Sequence, residues 1–312
     1  HLVRSNRKTM KVPIITGPTA CGKTDLSIAL AQRMDGEIVC LDSRQIYKHL
    51  DIGTAKPSTQ DMEKVTHHLF GFIEPSASYS AYDYRNDALS CIQKILSSGH
   101  MPILVGGTGL YIDCLMKGVI EVGSDYGLRK HLMRMEEESP GSLRKILFSI
   151  DSQSGERISE NDIKRTVRAI EIYVLTGKKM SSLVNNTNVK SEFDFDIIVF
   201  DRDRKELYER IDRRTEDMLS QGMVMETSEL IKRYPESCNA LNTLGYKQII
   251  AYLKGRMSYE EAVNRIKFET HHYARRQIIY FRRFQNARWI NLSSKKNEEI
   301  KNELFDYIRR GK

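Results

Sequence analysis

The stretch that decides the fold is KVPIITGPTACGKT, residues 11–24. Its apolar first half indicates a strand, and GPTACGKT at 17–24 has the G-x-x-x-x-G-K-T pattern of a phosphate-binding loop (P-loop). Leu26, Ala29 and Leu30 follow at helical spacing. Backbone N–H groups of such a loop surround phosphate oxygens, Lys23 adds a positive charge, and the Thr24 hydroxyl can bind Mg²⁺. The sequence therefore predicts a diphosphate or triphosphate site.

Further strand-like runs alternate with helical stretches, which favours a parallel sheet. The runs are Lys11–Thr16, Glu37–Leu41, Met101–Val105, Asp196–Asp201 and Ala287–Leu292. Residues 119–195 have charged helical patterning and few strand signals. We therefore predict an α/β fold, a P-loop NTPase-like parallel sheet flanked by helices. Its core domain comprises residues 10–118 and 196–312, and an all-helical insertion domain comprises residues 119–195.

The insertion contains one well-marked helix that ends at Gly177. Its predicted buried stripe recurs at helical spacing and consists of Ile163, Val167, Ile170 and Val174. Lys164, Arg165 and Arg168 lie off this stripe and are predicted to be exposed. A late helix is expected to begin at Ser258, because Ser258 and Glu261 fit a capping box.

Basic residues are concentrated in one late segment. The formal net charge is +8, and the segment Asn264–Arg288 contains seven Lys or Arg but one acid. Arg275 and Arg282 are seven residues apart and are predicted to share one side of a helix. Such a stripe is typical of a surface that binds a polyanion. A solvated basic helix explains the charge equally well, so the charge alone does not distinguish a polyanion-binding surface from a solvated helix.

Composition excludes several classes of protein. With 40% hydrophobic and 29% charged residues, the chain is neither disordered nor fibrous. No apolar run approaches the roughly 18 residues that span a bilayer, and the start lacks the apolar stretch of a secretory signal. The five cysteines are scattered without a CxxC pair, which is typical of reduced proteins. We therefore expect a cytoplasmic protein with no membrane partner.

Three further positions are candidates for the same site. Asp42 follows the second strand, where a carboxylate can accept a proton, although it can equally cap a turn. Gly106–Gly109 follows a strand and either lines the crevice, with Thr108 offering a hydroxyl, or forms a bare turn. On a charged helix, Glu206 is expected to pair with Arg210 and Glu209 with Arg213, which leaves Arg214 as a candidate to clamp a pyrophosphate.

At this point the chain resembles the tRNA dimethylallyltransferases (tRNA isopentenyltransferases). The resemblance covers nearly the whole sequence and is most specific at DIGTAKP and YARRQ. The matching segments are GPTACGKT at 17–24, LDSRQIYKHLDIGTAKPS at 41–58, SYSAYDYRNDA at 78–88, PILVGGTGLY at 102–111, RAIEIYVLTGK at 168–178, LYERIDRRTEDML at 207–219, LGYKQ at 244–248 and YARRQIIYFRR at 273–283.

The resemblance implies transfer of a dimethylallyl group from dimethylallyl diphosphate to N6 of the adenosine 3′-adjacent to a tRNA anticodon. It gives Asp42 the role of general base and implies that Thr19 and Arg214 assist the departing diphosphate. Mg²⁺ is the implied cofactor, with Thr24 as its protein ligand. The implied diphosphate-binding residues are Gly17, Pro18, Thr19, Ala20, Cys21, Gly22, Lys23, Thr24 and Arg214.

The resemblance also implies that a tRNA anticodon stem-loop is the partner of a monomeric enzyme. With Arg275 and Arg282 from the basic segment, the expected tRNA contacts are Asp42, Ser43, Arg44, Gln45, Thr108, Arg129, Lys164, Arg165, Thr166, Val167, Arg168, Gly245, Tyr246 and Lys247. The chain departs from the family pattern at Cys21, usually Ser, at ISEND (158–162), and at 125–127, which lacks a common proline. Without a C-terminal zinc finger, it resembles the bacterial type.

Three alternatives remain at this stage. An adenylate isopentenyltransferase would share the P-loop and Asp42 but would need neither the insertion nor the basic helix. A P-loop small-molecule kinase would use Asp42 to bind an acceptor hydroxyl. A nucleic-acid-binding module without catalysis would leave Lys23, Thr24, Asp42 and Arg214 without a purpose.

Overall fold

A six-stranded sheet lies at the centre of the computed structural model, which describes residues 11–186, 191–294 and 296–310. The strand order is β3-β2-β4-β1-β5-β6, and each neighbouring pair is parallel. The predicted parallel α/β fold is therefore confirmed. All five predicted strands are present, whereas β3 was not predicted because two residues are too few to show a period. The strands are β1 Lys11–Thr16, β2 Gly36–Cys40, β3 His67–His68, β4 Met101–Val105, β5 Asp194–Asp201 and β6 Arg288–Asn291.

Helices form the rest of the regular structure in the described chain, and none of them is both long and apolar enough to cross a membrane. The Ser258 hydroxyl accepts the N–H of Glu261 at 3.1 Å, which caps α13 where the sequence predicted its start. The helices are α1 Lys23–Met34, α2 Thr59–Lys64, α3 Ala81–Ser97, α4 Gly109–Lys117, α5 Tyr126–Glu138, α6 Ser142–Ile150, α7 Ser152–Arg157, α8 Ile163–Thr176, α9 Met180–Asn186, α10 Arg204–Ser220, α11 Met223–Arg233, α12 Tyr246–Leu253, α13 Tyr259–Phe281 and α14 Asn297–Arg310.

The chain divides into two compact units. The first contains the sheet and runs up to Leu115 and again from Glu192, and the second is Met116–Ser191. Among the described residues of the second unit, α5 to α9 supply the regular structure and no strand occurs.

The core of the first unit places the P-loop at the middle of the sheet. β1 pairs with β4 on one side and β5 on the other, and Val12, Ile14 and Ile15 are fully buried. All five residues of β4 are buried, as expected for a strand covered on both faces, and α1 and α3 both pack against it. Because the strands are parallel, their carboxyl ends lie along one edge, where β1 leads directly into the P-loop.

The second unit has a core of its own around α8. The helix ends at Thr176, and Gly177 adopts the left-handed conformation (φ 67°), as the sequence predicted. Val167 and Ile170 are buried, but Val174 is 59% exposed, so the last position of the predicted stripe is wrong. The buried apolar residues of this core are Leu132, Leu143, Leu147, Ile158, Val167, Ala169 and Ile170.

A buried carboxylate organises the polar side of the same helix. The Glu171 side chain is 0% exposed and accepts hydrogen bonds from Arg129 at 2.8 Å and from Arg168 at 2.6 Å. It also accepts the N–H of Asp125 at 2.8 Å, which fixes the start of α5. Burial by itself raises the pKa of Glu171, but these hydrogen bonds outweigh it and lower the pKa below its usual range.

Glu171→Gln is expected to destabilise the second unit by about 3 kcal/mol at neutral pH, because it breaks a buried ion pair. Since the folded pKa is the lower one, the stability that Glu171 contributes is present above the unfolded value, about 4.3, and is lost as the pH falls through the folded value. Urea unfolding at pH 7 and pH 4, with hydrogen exchange of residues 126–176 as local readout, should show a smaller pH dependence in the variant. Equal pH dependence in both proteins would contradict this role.

Candidate active site

The P-loop has the backbone conformation that its glycines predict. Gly17 has φ 152°, and a Cβ there would lie 2.3 Å from the carbonyl oxygen of Phe200 in β5. Ala20 is left-handed at φ 63°, and Gly22 precedes α1, so the loop turns directly into a helix N-terminus. The Lys23 ammonium donates to the carbonyls of Gly17 at 3.0 Å and Pro18 at 2.9 Å. A positive charge therefore lies at the loop itself.

Three arginines hold the P-loop. Arg202 donates to the Cys21 carbonyl at 2.7 Å, Arg210 to the Ala20 carbonyl at 2.9 Å, and Arg214 to the Thr19 hydroxyl at 3.2 Å. The expected pairing of Glu206 with Arg210 is wrong, because Glu206 instead accepts from Arg202 at 2.5 Å. Of the three arginines, sequence reasoning selected Arg214 alone. Arg202 and Arg210 donate to backbone carbonyls of a loop that is distant in the sequence. Such contacts produce no pattern of opposite charges in the sequence, so the sequence did not reveal these two residues.

A cavity of about 430 Å³ opens beside the loop within the first unit. Asp42 lines it together with five of the candidate diphosphate-binding residues, Thr19, Ala20, Lys23, Thr24 and Arg214, whereas Gly17, Pro18, Cys21 and Gly22 do not. Its apolar lining, which would suit a hydrocarbon group, comes from α10, α11, α13 and the loop before α12. These apolar residues include Ile211, Met218, Met223, Leu244 and Ile266.

Asp42 both caps a turn and faces the cavity. Its Oδ1 accepts the N–H groups of Arg44 at 2.8 Å and Gln45 at 3.4 Å, which is the turn-capping role considered from the sequence. Within the described residues, no hydrogen bond reaches Oδ2. One carboxylate oxygen is therefore held by the backbone and the other is available to a ligand, so the two interpretations of Asp42 are compatible.

Arg214 and Asp42 interact electrostatically across this cavity. Burial lowers the pKa of Arg214, and the negative charge of Asp42 opposes that effect. A guanidinium stays protonated even so. The site therefore contains the Arg214 guanidinium, in addition to Lys23, beside the P-loop and the Asp42 carboxylate at the end of β2.

The glycine-rich turn after β4 ties the strand ends together. Gly106 and Gly107 line the cavity, so this turn is more than a bare strand-to-helix connection. The Thr108 hydroxyl accepts the N–H of Ser43 at 2.9 Å. It therefore fixes the segment that follows Asp42. The ligand contact expected of Thr108 stays a prediction, and Thr108 is not among the residues that line the cavity.

Gln277 is a site residue that sequence reasoning missed. Its side-chain oxygen accepts the N–H of Thr19 at 2.9 Å, and its side-chain nitrogen donates to the Gly107 carbonyl at 2.9 Å. A Cβ on Gly107 would lie 2.3 Å from that nitrogen, so the glycine permits the contact. The P-loop and the turn after β4 are thus joined through α13. The YARRQ segment was the available signal, since Gln277 is its last residue.

Three aromatic residues on α13 or just after it occupy two kinds of position. Phe284 is buried, and the Tyr280 hydroxyl donates to Asp113, so both side chains take part in the packing of the fold. Tyr273 is 37% exposed and lines the cavity. Arg275 and Arg282 are exposed, although α13 ends at Phe281 and Arg282 is its capping residue.

The predicted tRNA contacts are dispersed over both units, and several are engaged in the fold. In the first unit, Arg44 donates to the Asn239 carbonyl at 2.9 Å, and Lys247, which lines the cavity, pairs with Glu269 at 2.6 Å. Gly245 precedes α12 and also lines the cavity. In the second unit, Lys164 and Arg165 are exposed.

Three predicted contacts have buried side chains, and two others have a structural role. Thr166 is 1% exposed, Val167 4% and Tyr246 0%, so these side chains belong to the interior and any contact with RNA would have to use their backbone atoms. Helical periodicity could have shown this for Val167, which the sequence also placed on the buried stripe. Arg129 and Arg168 hold Glu171, although 40% and 29% of their side chains stay exposed.

The fold and the site define a P-loop α/β protein whose cavity joins an anion-binding loop to a carboxylate and an apolar wall. A family model described as IPP transferase matches residues 45–284, and one described as Isopentenyl transferase matches residues 10–73. The chain belongs to the tRNA dimethylallyltransferase (IPP transferase) family. The resemblance seen in the sequence is thereby confirmed.

Named relatives cover almost the whole chain. It is 49% identical over 297 residues to a tRNA dimethylallyltransferase of Petrotoga mobilis, covering 95% of this chain and 98% of the relative. It is 43% identical over 301 residues to a tRNA dimethylallyltransferase of Thermotoga maritima, covering 96% and 98%.

Solved structures agree with this assignment. A full-length tRNA isopentenylpyrophosphate transferase from Bacillus halodurans superposes with a TM-score of 0.73 at 33% identity, covering 97% of this chain and 96% of the other. A eukaryotic dimethylallyltransferase described as acting on tRNA gives a TM-score of 0.82 at 27% identity, covering 97% and 80%.

Proposed function

We propose that this protein transfers the dimethylallyl group of dimethylallyl diphosphate to N6 of the adenosine 3′-adjacent to a tRNA anticodon. One observation carries the proposal: Asp42, Arg214 and the P-loop line the same cavity. A proton acceptor and a diphosphate-binding site are therefore close enough to act on one reacting centre. Membership of the tRNA dimethylallyltransferase family supports the choice of substrates.

The donor binds with its diphosphate on the P-loop. As the bond between C1 of the dimethylallyl group and the oxygen that joins it to the diphosphate breaks, negative charge grows on the diphosphate. Lys23 and Arg214 stabilise that charge, with the N-terminus of α1 adding a favourable field. The hydrocarbon part of the donor lies against the apolar wall formed by Met218, Met223 and their neighbours.

Magnesium is part of the proposal, and the donor groups present suit it. Within the described residues, no cluster of three or more His, Cys, Asp or Glu could enclose a metal ion. Mg²⁺ commonly keeps several waters and takes most of its remaining ligands from substrate phosphates. The Thr24 hydroxyl at the cavity wall would hold it. When bound, the ion would neutralise part of the diphosphate charge.

Asp42 acts on the acceptor. The exocyclic amine of adenine is a weak nucleophile because its lone pair is delocalised into the ring. Oδ2 of Asp42 takes the N6 proton as the bond from N6 to C1 forms. The products are N6-(dimethylallyl)adenosine and diphosphate, with the proton on Asp42. The adenine must leave its stack to reach Asp42, so we propose that the base is flipped out of the anticodon loop.

We further propose that the enzyme is a cytoplasmic monomer. Its five cysteines are free, as expected in a reducing compartment. Exposed basic residues of α13 and α8 supply the charge for RNA, and neutralising about five phosphates gives a log–log salt slope of roughly −4.

A direct transfer assay tests the function. The protein is incubated with Mg²⁺ and labelled dimethylallyl diphosphate, and either an anticodon stem-loop or AMP is the acceptor. We expect label in the RNA alone. Label only in AMP would instead indicate an adenylate isopentenyltransferase. Transfer of the γ-phosphate from ATP without prenylation would indicate a kinase.

The basic face of α13 can be tested separately from catalysis. Replacing Arg275 and Arg282 together with Gln is expected to weaken RNA binding about tenfold and to reduce the salt slope by about 2. The double variant of Arg309 and Arg310, exposed at the end of α14, removes the same charge elsewhere and should leave the affinity unchanged. Fluorescence anisotropy over a series of salt concentrations measures both the RNA affinity and its salt slope. Equal affinity in all three proteins would show that this face is a solvated helix surface.

A further inference from the structure

Glu226 on α11 is a carboxylate that neither the donor chemistry nor the predicted RNA contacts use. Its Oε2 accepts the N–H groups of Asp51 at 3.1 Å and Ile52 at 2.8 Å. Its Oε1 accepts the N–H of Gly53 at 3.1 Å and the hydroxyl of Tyr246 at 2.5 Å. Both oxygens therefore have two donors, which fills the acceptor capacity of a carboxylate.

The backbone that Glu226 holds is a wall of the cavity. It belongs to the DIGTAKP segment, 51–57, of which Gly53, Thr54, Ala55 and Pro57 line the cavity. The far end of this segment is held by Lys56, which donates to the Tyr47 carbonyl at 2.7 Å. The loop is thus fixed at its beginning by Glu226 and at its end by Lys56.

Gln45 connects the same loop to Asp42 by hydrogen bonds. The Gln45 side-chain nitrogen donates to the carbonyls of Thr54 at 3.0 Å and Ala55 at 2.9 Å. The backbone N–H of Gln45 in turn donates to Oδ1 of Asp42 at 3.4 Å. A continuous series of hydrogen bonds therefore connects Glu226, the 51–55 loop, Gln45 and Asp42.

We propose that Glu226 is a positioning residue for the transfer reaction. Its carboxylate fixes the 51–55 loop so that the loop carbonyls hold Gln45, and Gln45 in turn helps to hold Asp42 with Oδ2 towards the cavity. The inference rests on the proposed function, because it assigns Glu226 a role in positioning Asp42, the proposed general base. Glu226 itself touches no reacting atom.

The residue type suits this task. A carboxylate accepts from all four donors, and hydrogen bonds to a charged acceptor are roughly twice as strong as neutral ones. Burial and the Glu226 charge raise the pKa of Tyr246, so its hydroxyl stays protonated and remains a donor. Glutamine would replace one oxygen with an NH₂ group that faces two donors and cannot accept from either.

Glu226→Gln is therefore expected to lower kcat about tenfold to a hundredfold, because a small displacement of a catalytic group has effects of that size. KM for the donor and for the RNA should each change less than about threefold, since neither substrate touches Glu226. Glu229→Gln is the matched control: it removes an exposed carboxylate from the same helix, paired with Lys232 at 2.7 Å, and should leave kcat unchanged. Glu226→Asp, which keeps the charge on a shorter side chain, should recover part of the lost rate.

A double-mutant cycle with Gln45→Ala separates positioning from general destabilisation. If Glu226 acts through Gln45, then Glu226→Gln should cost less than about threefold in kcat in the Gln45→Ala background. A full and additive loss in that background would overturn the proposal, as would full kcat in Glu226→Gln alone. Absence of prenyl transfer by the unaltered protein would instead reject the proposed function.

Discussion

Asp42→Ala is expected to lower kcat by about 10²- to 10⁴-fold, the usual contribution of a positioned general base. The affinity for the anticodon stem-loop should change less than about threefold, because RNA binding rests mainly on basic residues elsewhere. Single-turnover prenylation with RNA in excess gives the rate, and fluorescence anisotropy gives the affinity. Comparable activity in the variant would remove Asp42 as the base.

Asp42→Asn is the matched variant, because alanine also removes the cap of the turn at Arg44 and Gln45. Asparagine keeps an oxygen that can accept both N–H groups but cannot take the proton from N6. If the rate falls equally in both variants, proton acceptance is the important property. If Asp42→Asn is nearly as active as the unaltered protein, the turn is what matters.

Arg214→Gln is expected to lower kcat about 10²- to 10³-fold, the cost of removing one stabilising donor from a developing anion. The same change frees the Thr19 hydroxyl, so KM for dimethylallyl diphosphate should rise as well. Arg213→Gln is the control on the same helix, because it removes one positive charge at an exposed position of α10. Steady-state kinetics with varied donor concentration measures both effects. An equal loss in the two variants would show that the general charge of α10 matters more than the contact made by Arg214.

Local signals in the sequence predicted the parts of the fold that depend on neighbouring residues. β1, Gly17, Gly22 and α1 follow one another, so a strand, a loop of required backbone angles and a helix could be recognised together. The signal that placed the start of α13 at Ser258 was equally local, because a helix cap involves residues that are three apart in the sequence. Asp42 was found because it follows a buried strand, where ligands of parallel sheets collect.

Contacts between distant residues account for most of what the sequence did not reveal. Gln277 holds Thr19 across 258 positions, and Arg210 holds Ala20 across 190. A side chain that hydrogen-bonds to a backbone N–H or carbonyl group needs no complementary residue type, so no pairing pattern in the sequence records it. The burial of Thr166 and Tyr246 was missed for a related reason: matching a family motif identifies a position but not whether its side chain lies in the core.

The hydrogen bond between Gln277 and Thr19 also has a consequence for biosynthesis. The P-loop is translated well before Gln277, the residue that fixes Thr19 and that follows it by 258 residues. The central strand β1 likewise lacks one neighbour until β5, Asp194–Asp201, has been translated. Because such non-local contacts form late and slowly, a nascent chain carries an incomplete phosphate-binding site from the translation of the P-loop until that of α13. The contacts that hold the P-loop are thus completed only after Gln277 has been translated.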